Sequence, residues 1–262
     1  FTVTKEHEVG IFELGMNRKG EIAELAAVLK PNIAVVTNIG TAHIGMLGSK
    51  DAIAHEKKQI FSCFDENAVG FIPDMDEYTA FLRKVPHGKM IAYSASPDAY
   101  TLEGLSGAKI RYRGETIRLP LPGIHNVQNA FAAIAVAEYC NIPLQSIKAG
   151  IEQIQALFGR SQIIHGPVTY LLDCYNANPD SMYAGLALCA NIAVSGKKIY
   201  VLASMKELGA ESAEAHRAVC AAAFASDADV LFFFGEEMCT AAVEQKQASN
   251  KPFFCFKETE AK

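Results

Sequence analysis

The sequence has 262 residues, half of them hydrophobic, and a formal net charge of −5 at pH 7. This length predicts one large domain or two of ordinary size, with enough apolar material for buried cores. The acidic balance gives no electrostatic reason to bind nucleic acid or an anionic membrane, and no apolar run reaches transmembrane length. The seven cysteines are scattered without a Cys-x-x-Cys pair, which is typical of reduced thiols in a cytosol.

The first part of the chain alternates apolar runs with helical patterns. Apolar runs of strand length occur at residues 9–14, 33–37, 68–72 and 90–93. Helical periodicity occurs at residues 20–29, 51–64 and 74–83, and Ser49 is placed to cap the second of these helices. Strands that alternate with helices in this way predict right-handed βαβ units and a mostly parallel sheet.

After residue 100 the pattern changes and then starts again. Residues 102–121 alternate polar and apolar side chains around two glycines, which predicts an antiparallel hairpin, and helices follow at residues 126–139 and 144–157. Beyond Gly159 strands are predicted at residues 168–173, 199–202 and 230–234, and helices at residues 181–192 and 212–224. We therefore expect two α/β domains, residues 1–158 and residues 159–262.

A polar loop at residues 173–182 is the strongest candidate for a functional site. Its sequence, Asp-Cys-Tyr-Asn-Ala-Asn-Pro-Asp-Ser-Met, follows an apolar run and precedes a helical pattern. Asn and Ser side chains can satisfy free amides at a helix start, and Pro179 suits the first helical turn. Ligands of open α/β sheets bind at the carboxyl ends of strands, where this loop is expected. An unusually polar helix cap is the alternative, and spacing alone does not decide.

A second candidate lies where a helix is predicted to start after Gly123. This glycine permits an unusual backbone angle, and the helix N-terminus beyond it favours an anion or a polar ligand. Asn129 lies one turn inside the helix, where its carboxamide can contact a purine edge. A capped helix with small residues for close packing explains the same pattern equally well.

Four single side chains are weaker candidates. Glu13 and His43 each follow a predicted strand, and neighbouring parallel strands would bring them to one rim as ligands of a hard cation. Lys57 lies in a run of charged residues on a predicted helix. Arg160 follows the boundary glycine, where its planar guanidinium can clamp a phosphate. Ordinary solvated side chains and a wet helix face are the alternatives.

Several motifs occur together and in one order. They are Glu13-Leu-Gly, Thr37-Asn-Ile with Ala42-His43, Leu121-Pro-Gly-x-His-Asn-x-x-Asn129, Gly159-Arg160, Tyr-Asn-Ala-Asn-Pro at residues 175–179 and Met205-x-Glu-Leu-Gly209. This ordered set resembles the Mur ligases, and the Tyr-Asn-Ala-Asn-Pro motif resembles the MurF type within them. The resemblance covers nearly the whole chain.

The resemblance implies an α/β fold in two domains. A partial central ATPase domain, with a mostly parallel sheet and a small antiparallel hairpin region, is expected to precede a Rossmann-like C-terminal domain. The phosphate-binding motif Gly-x-x-x-x-Gly-Lys-Ser/Thr is absent from the 262 residues. We therefore expect a chain that lacks the phosphate loop and the UDP-sugar domain and stops early. Such a chain is expected to have no ligase activity and to bind ATP weakly at most.

The resemblance also implies roles for individual side chains. Glu13 and His43 match magnesium ligands, and Lys57 matches a lysine that is carbamoylated in several Mur ligases and then serves a second metal. His43 and Lys57 are accordingly the expected catalytic residues. The expected ATP contacts are His125, Asn126, Asn129, Arg160, Asp173 and Tyr175. The expected substrate contacts are Asn176, Asn178 and Ser181. Departures from the family pattern occur at Gln59, Leu172 and residues 203–204.

The implied activity is that of an amide ligase with ATP and Mg²⁺ as cofactors. ATP would phosphorylate the carboxylate of a UDP-N-acetylmuramoyl tripeptide, and the amine of D-Ala-D-Ala would attack the acyl phosphate. This is a cytoplasmic step of peptidoglycan and cell-wall synthesis. We expect a monomer without nucleic-acid partners or membrane insertion. Two alternatives stay open: a non-catalytic nucleotide- or partner-binding remnant, and a sister Mur ligase with a different amino-acid substrate.

Overall fold

A parallel sheet lies at the centre of the first part of the chain in the computed structural model, which describes residues 4–245 and 250–257. Its strands, in spatial order, are β1 (Ile33–Val35), β2 (Val69–Pro73) and β3 (Lys89–Tyr93). Four of the five residues of β2 are buried, as expected for the central strand of a parallel sheet that is covered on both faces. The predicted parallel βαβ arrangement is therefore confirmed for these three strands.

Helices and a small antiparallel sheet complete this part. The helices are α1 (Glu21–Leu29), α2 (Ile44–Leu47), α3 (Lys50–Lys58), α4 (Thr79–Leu82), α5 (Ile124–Tyr139) and α6 (Leu144–Glu152). The antiparallel strands are β4 (Tyr100–Leu102), β5 (Ala108–Tyr112) and β6 (Glu115–Leu119). Ser49 caps α3, since its hydroxyl accepts a hydrogen bond of 3.1 Å from the amide of Ala52. The predicted hairpin region and the predicted cap are thus present, with a third strand added.

Two predictions for this part were wrong. Residues 9–14 form no strand, and Ile11 is 94% exposed. A strand needs a hydrogen-bonding partner, and within the described residues β1 pairs with β2 alone. The helix predicted over residues 74–83 shortens to the single turn of α4. There Asp76 accepts a hydrogen bond from the amide of Tyr78, and Thr79 donates to the carbonyl of Pro73, so local side-chain bonds replace helical ones.

The second part of the chain contains another parallel sheet. Its strands, in spatial order, are β11 (Phe253–Phe256), β10 (Val230–Phe234) and β9 (Ile199–Ala203), and a separate antiparallel pair is formed by β7 (Gln162–Ile164) and β8 (Tyr170–Leu172). The helices are α7 (Pro179–Ala190), α8 (Ser212–Ala225) and α9 (Glu236–Gln245). None of the described helices of either part combines the length and apolar composition needed to cross a bilayer.

The strand predicted before the polar loop is present as β8, but it joins a different sheet from the one expected. We expected residues 168–173 to belong to the parallel sheet, but β8 pairs antiparallel with β7, with Gln162 opposite Leu172. Gly166 and Pro167 lie between these strands and favour a tight reversal of the chain. The polar loop therefore follows a hairpin, although it still precedes a helix as predicted.

Among the described residues, one face of the β9–β11 sheet is apolar and uncovered. Tyr200, Leu231 and Phe233 are buried on the inner face, whereas Val201 and Phe254 on the outer face are exposed. Along the outer face Phe232 and Phe254 stack with ring centres 5.1 Å apart, and Phe234 and Phe256 stack at 5.2 Å. Parallel sheets are usually covered on both faces, so an open apolar face of this kind is unusual.

A buried carboxylate joins α1 to α3. Glu56 is only 6% exposed, and its two carboxylate oxygens accept hydrogen bonds of 2.8 Å from the amide of Gly20 and 2.9 Å from the amide of Ile22. Gly20 precedes α1 and has no side chain to cap it, so a distant residue supplies the acceptor. The run of charged residues around Lys57 is therefore not entirely solvent-exposed, since Glu56 is buried within it.

We expect Glu56→Ala to lower the free energy of unfolding by about 2–3 kcal/mol, because it leaves two amides at the start of α1 without their charged acceptor. Urea denaturation followed by circular dichroism measures this loss. Glu66→Ala is the matched control: the Glu66 side chain is 82% exposed, and its removal should change stability by less than about 0.5 kcal/mol. Equal effects of the two substitutions would contradict the proposed cap.

Candidate functional site

Residues 159–161 join the two parts of the chain and hold three predicted nucleotide contacts together. The amide of Tyr175 donates to the carbonyl of Gly159 at 3.1 Å, and the amide of Ser161 donates to Asp173 Oδ1 at 3.0 Å. The guanidinium carbon of Arg160 lies 4.1 Å from the centre of the Tyr175 ring, a cation–π contact. We call this set, with His125, the junction cluster.

His125 brings the start of α5 to the junction cluster. Its Nε2 lies 3.3 Å from the hydroxyl of Ser161. Burial lowers the pKa of His125, and the negative charge of Asp173 opposes this shift more weakly. The imidazole is therefore neutral at neutral pH. The carboxamide nitrogen of Asn126 lies 3.2 Å from Nε2, whereas Nδ1 is buried and has no hydrogen-bond partner among the described residues.

Two residues shape the turn before α5. Gly123 has a φ of +97°, and a Cβ at this position would lie 2.6 Å from the Cε1 of His125, so the predicted need for glycine is confirmed. Asn126 donates from its side chain to the carbonyl of Pro122 at 2.7 Å, which closes the turn. Asn126 thus has a structural role here, and Asn129 is exposed further along α5.

Ser161 was not among the predicted site residues. It has a φ of +47°, the left-handed region that favours glycine, and it is 6% exposed. A non-glycine residue held in this conformation is strained, and its contacts with His125 and Asp173 offset that cost. Ser161 therefore ties α5 to the end of β8.

A second set of contacts joins the loop after β1 to the second part of the chain. The amide and the hydroxyl of Thr41 donate to Asp180 Oδ2 at 2.6 and 2.7 Å. His43 Nδ1 lies 2.6 Å from Glu207 Oε2, and the amide of Gly45 donates to the carbonyl of Glu207 at 2.9 Å. We call these residues, together with Gly209, the clasp.

Two glycines let the clasp close. A Cβ added to Gly45 would lie 2.4 Å from the backbone nitrogen of Gly209, and a Cβ added to Gly209 would lie 2.9 Å from the Cα of Gly45. Real side chains do not tolerate such contacts with backbone atoms. The two backbones can therefore touch here only because both residues are glycine.

A buried histidine supports the second side of the clasp. His216 is fully buried on α8; its Nε2 accepts a hydrogen bond of 2.9 Å from the amide of Met205, and its Nδ1–H donates to the carbonyl of Ser212 at 2.7 Å. Both ring nitrogens thus have partners in the neutral form. The ring anchors the start of the loop that carries Glu207.

The polar loop caps α7, as the sequence predicts. Asn178 Oδ1 accepts from the amide of Ser181 at 2.9 Å, and Ser181 Oγ accepts from the amide of Asn178 at 3.0 Å. Pro179 is the first residue of the helix, and the Oδ1 of Asn176 accepts from the amide of Ala177 at 2.8 Å. Asn178 and Ser181 therefore act as a reciprocal helix cap, and their predicted contact with substrate stays a prediction.

The three predicted metal ligands make other contacts or face solvent. Glu13 is exposed on the irregular segment before α1, His43 contacts Glu207, and Lys57 Nζ donates to the carbonyl of Asn38 at 2.8 Å. Within residues 4–245 and 250–257, no three His, Cys, Asp or Glu side chains are grouped as a metal site. In this arrangement the residues do not fit a complete protein-built Mg²⁺ site.

Lys57 is half-buried, and the charges of two carboxylates act on its amine. Burial lowers the pKa of its amine, and the charges of Asp76 and Asp180 oppose that shift. Asp76 accepts a hydrogen bond of 3.2 Å from the amide of Ile39, so it borders the same loop as the clasp. Lys50, on the same helix, behaves in the opposite way: its 2.5 Å hydrogen bond to Glu77 raises its pKa.

Comparison with known protein families gives the family of the chain. The model of the Mur ligase middle domain matches residues 1–137, more than half of the sequence, and that of the Mur ligase glutamate ligase domain matches residues 159–260. The chain belongs to the Mur ligase family. The second match begins at residue 159, and the predicted domain boundary stays a prediction.

Relatives with known names share this pattern. The chain is 51% identical over 245 residues to the UDP-N-acetylmuramoyl-tripeptide–D-alanyl-D-alanine ligase of Treponema pallidum, over 92% of this chain and 53% of that protein. The Escherichia coli protein of the same name is 32% identical over 248 residues, 90% of this chain and 54% of that protein. The chain spans about half the length of the curated relatives it matches.

A solved structure supports the fold of this Mur ligase. Crystal structure I of MurF from Acinetobacter baumannii superposes with a TM-score of 0.87 at 30% sequence identity, over 97% of this chain and 57% of that chain. The predicted fold class, mostly parallel α/β with an antiparallel region and a second α/β domain, is confirmed. The names middle domain and C-terminal domain refer below to residues 1–137 and 159–260, which the two family models match.

Several site residues of this Mur ligase were not predicted. Asp180 lies in the polar loop, Glu207 lies in the Met205-x-Glu-Leu-Gly209 motif, and Thr41 lies just before Ala42-His43. The motifs therefore contain or adjoin these residues, although the sequence does not predict a role for them. His216 had no signal beyond its place on a predicted helix. Ser161 follows Gly159-Arg160 directly, and a polar residue at a domain boundary was the available hint.

We expect the Lys57 amine to titrate below the ordinary lysine value of 10.5 and the Lys50 amine to titrate above it. Because the folded pKa of Lys57 lies below its unfolded pKa, the unfolded chain binds more protons between the two values. Stability from this group therefore rises with pH across that window. Nuclear magnetic resonance titration of labelled lysines measures both values.

Asp76→Asn should lower the pKa of Lys57 further, because the favourable charge is lost, and should leave Lys50 nearly unchanged since Glu77 dominates there. Glu77→Gln is the complementary variant and should bring Lys50 down towards 10.5 without moving Lys57. A Lys57 amine that titrates above 10.5 in the unmodified protein contradicts the burial argument.

Proposed function

We propose that the protein is an ATP-dependent ligase that joins D-Ala-D-Ala to a UDP-N-acetylmuramoyl tripeptide to make a peptidoglycan precursor. The main support for this proposal is the position of the Tyr-Asn-Ala-Asn-Pro loop, residues 175–179, which lies between the two sets of interdomain contacts. At one end Tyr175 contacts Arg160 in the junction cluster, and just beyond the other end Asp180 contacts Thr41 in the clasp. The names of the Treponema and Escherichia relatives support the same activity.

The proposed reaction has two steps. A carboxylate oxygen of the tripeptide attacks the γ-phosphorus of ATP, the bond to the bridging oxygen breaks, and ADP leaves. The amine of D-Ala-D-Ala then attacks the carbonyl carbon of the acyl phosphate, inorganic phosphate leaves, and the amine gives up a proton. Most of the catalytic advantage in such transfers comes from positioning and from charge stabilisation. The site between the two domains, bordered by the junction cluster and the clasp and here called the cleft, is suited to positioning and to charge stabilisation.

The junction cluster is the proposed nucleotide side of the cleft. The planar guanidinium of Arg160 lies against the Tyr175 ring. This contact leaves the N–H donors of the guanidinium available to bind phosphate oxygens. Asp173 lies beside it as the proposed ribose contact. The neutral His125 and the exposed Asn129 stand at the start of α5 as the proposed adenine contacts.

Lys57 and His43 are the proposed catalytic residues on the other side of the cleft. Asn176 and the residues that cap α7, Asn178 and Ser181, are the proposed substrate contacts.

Mg²⁺, with Glu13, His43 and a carbamoylated Lys57 as ligands, is implied by the family. The observed contacts of these side chains do not prepare such a site, so Mg²⁺ is assigned no step. Cytoplasmic action, a monomeric state and the lack of nucleic-acid or membrane partners also remain predictions.

The test is phosphate release by the full-length gene product with ATP, UDP-N-acetylmuramoyl tripeptide and D-Ala-D-Ala. We expect release only when all three are present. Arg160→Met should lower kcat/KM at least about tenfold, a loss of about 1.4 kcal/mol of transition-state binding. Arg83→Met, which removes an exposed arginine paired with Asp74, is the matched control and should keep wild-type activity.

Other outcomes identify the alternatives. Release with a single amino acid but not with the dipeptide would indicate a sister Mur ligase. Nucleotide binding without release for any amine would indicate a non-catalytic remnant, and both results would reject the proposed function.

A further inference from the structure

We propose that Asp180 is a positioning residue of the ligase, which holds the polar loop and the start of α7 against the loop after β1. This inference rests on the proposed function, because it concerns how that site is assembled. Asp180 does not need to touch a substrate in this role. It acts through Thr41 and through the capped turn that precedes it.

The contact between Asp180 and Thr41 is short and specific. One carboxylate oxygen, Oδ2, accepts both the amide of Thr41 at 2.6 Å and its hydroxyl at 2.7 Å. Hydrogen bonds to a charged acceptor are stronger than neutral ones. The neighbouring Gly40 leaves room for the carboxylate, since a Cβ there would lie 2.9 Å from Oδ2. The middle domain thus offers two donors, the amide and the hydroxyl of Thr41, to Asp180 Oδ2, and the lack of a side chain at Gly40 lets this oxygen reach them.

An acidic residue in the first turn of a helix has an ordinary explanation, because the helix dipole favours it there. Asp180 satisfies that rule, but its partner is 139 positions away in sequence and in the other domain. The charge of Asp180 also reaches two lysines of the middle domain: it adds to the rise that Glu77 causes in the pKa of Lys50, and it partly opposes the lowering that burial causes in the pKa of Lys57. The carboxylate therefore faces cations and donors of α3 and of the loop after β1.

The position of Asp180 couples the clasp to the polar loop. Pro179 alone separates it from Asn178, whose reciprocal cap with Ser181 makes this turn a rigid unit. A shift of Asp180 away from Thr41 therefore moves the capped turn, and with it Asn176, relative to His43. The Gly45–Gly209 contact involves only backbone atoms and remains without Asp180, so the loss of the carboxylate shifts the domains without separating them.

The test combines amide hydrogen exchange with steady-state kinetics of the full-length gene product. Asp180→Asn keeps the shape of the side chain but removes its charge, so exchange of the Thr41 amide should become about threefold to tenfold faster. The KM for the dipeptide should rise by a similar factor while kcat changes little, because fewer molecules hold the competent arrangement. Asp98→Asn, an exposed aspartate outside the clasp, should change neither quantity.

Variants of Thr41 test the same contact from the other side. Thr41→Val removes the hydroxyl donor but keeps the amide donor, so it should raise the KM less than Asp180→Asn does, whereas Thr41→Ser keeps both donors and should leave the KM near wild type. Combined with Asp180→Asn, Thr41→Val should add less than it does alone, since both substitutions weaken the same contact.

Each outcome is decisive. Unchanged Thr41 exchange in Asp180→Asn would show that the contact does not hold the domains together, and faster exchange with unchanged kinetics would reject the positioning role. An inactive wild-type protein would instead contradict the proposed ligase function, and the exchange rates would then judge the clasp alone.

Discussion

The contact between Gly45 and Gly209 is the constraint on which the rest of the interdomain site depends. Only residues without a Cβ can bring these two backbones together. Once they touch, Glu207 lies within reach of both the Gly45 amide and the His43 ring, and Asp180 lies within reach of Thr41. The polar contacts of the clasp are thus consequences of a steric condition that involves no polar side chain.

The junction cluster and the clasp together hold the polar loop in place at both of its ends. Near the junction, the backbone of Tyr175 bonds to Gly159, and the strained Ser161 links Asp173 to His125. The two sets use different contacts. The junction cluster combines backbone hydrogen bonds with the Asp173 carboxylate and a cation–π pair, whereas the clasp combines a contact between two glycines with the carboxylates of Asp180 and Glu207. A loop attached at two points in this way can be preorganised without being buried, which suits a site that must admit small molecules.

The sequence predicts elements well where local preference and burial agree. Val230–Phe234 is an unbroken apolar run and forms β10 with the predicted bounds. Prediction failed for the strand at residues 9–14 and for the pairing of β8, since a strand depends on a partner that periodicity does not specify. In the site, Gly123 was predictable from its motif and its backbone requirement. Asp180 and Glu207 were visible as residues, but their partners became known only when distant loops were brought together.

The open apolar face of the β9–β11 sheet affects how the molecule behaves at high concentration. Exposed Val201 and Phe254, beside the stacked rings of Phe232 and Phe234, form a continuous patch of the kind that associates with itself or with other apolar surfaces. A hydrodynamic radius that increases with concentration would therefore originate on this sheet. Self-association through this sheet would involve the C-terminal domain alone, whereas the clasp is formed by residues of both domains.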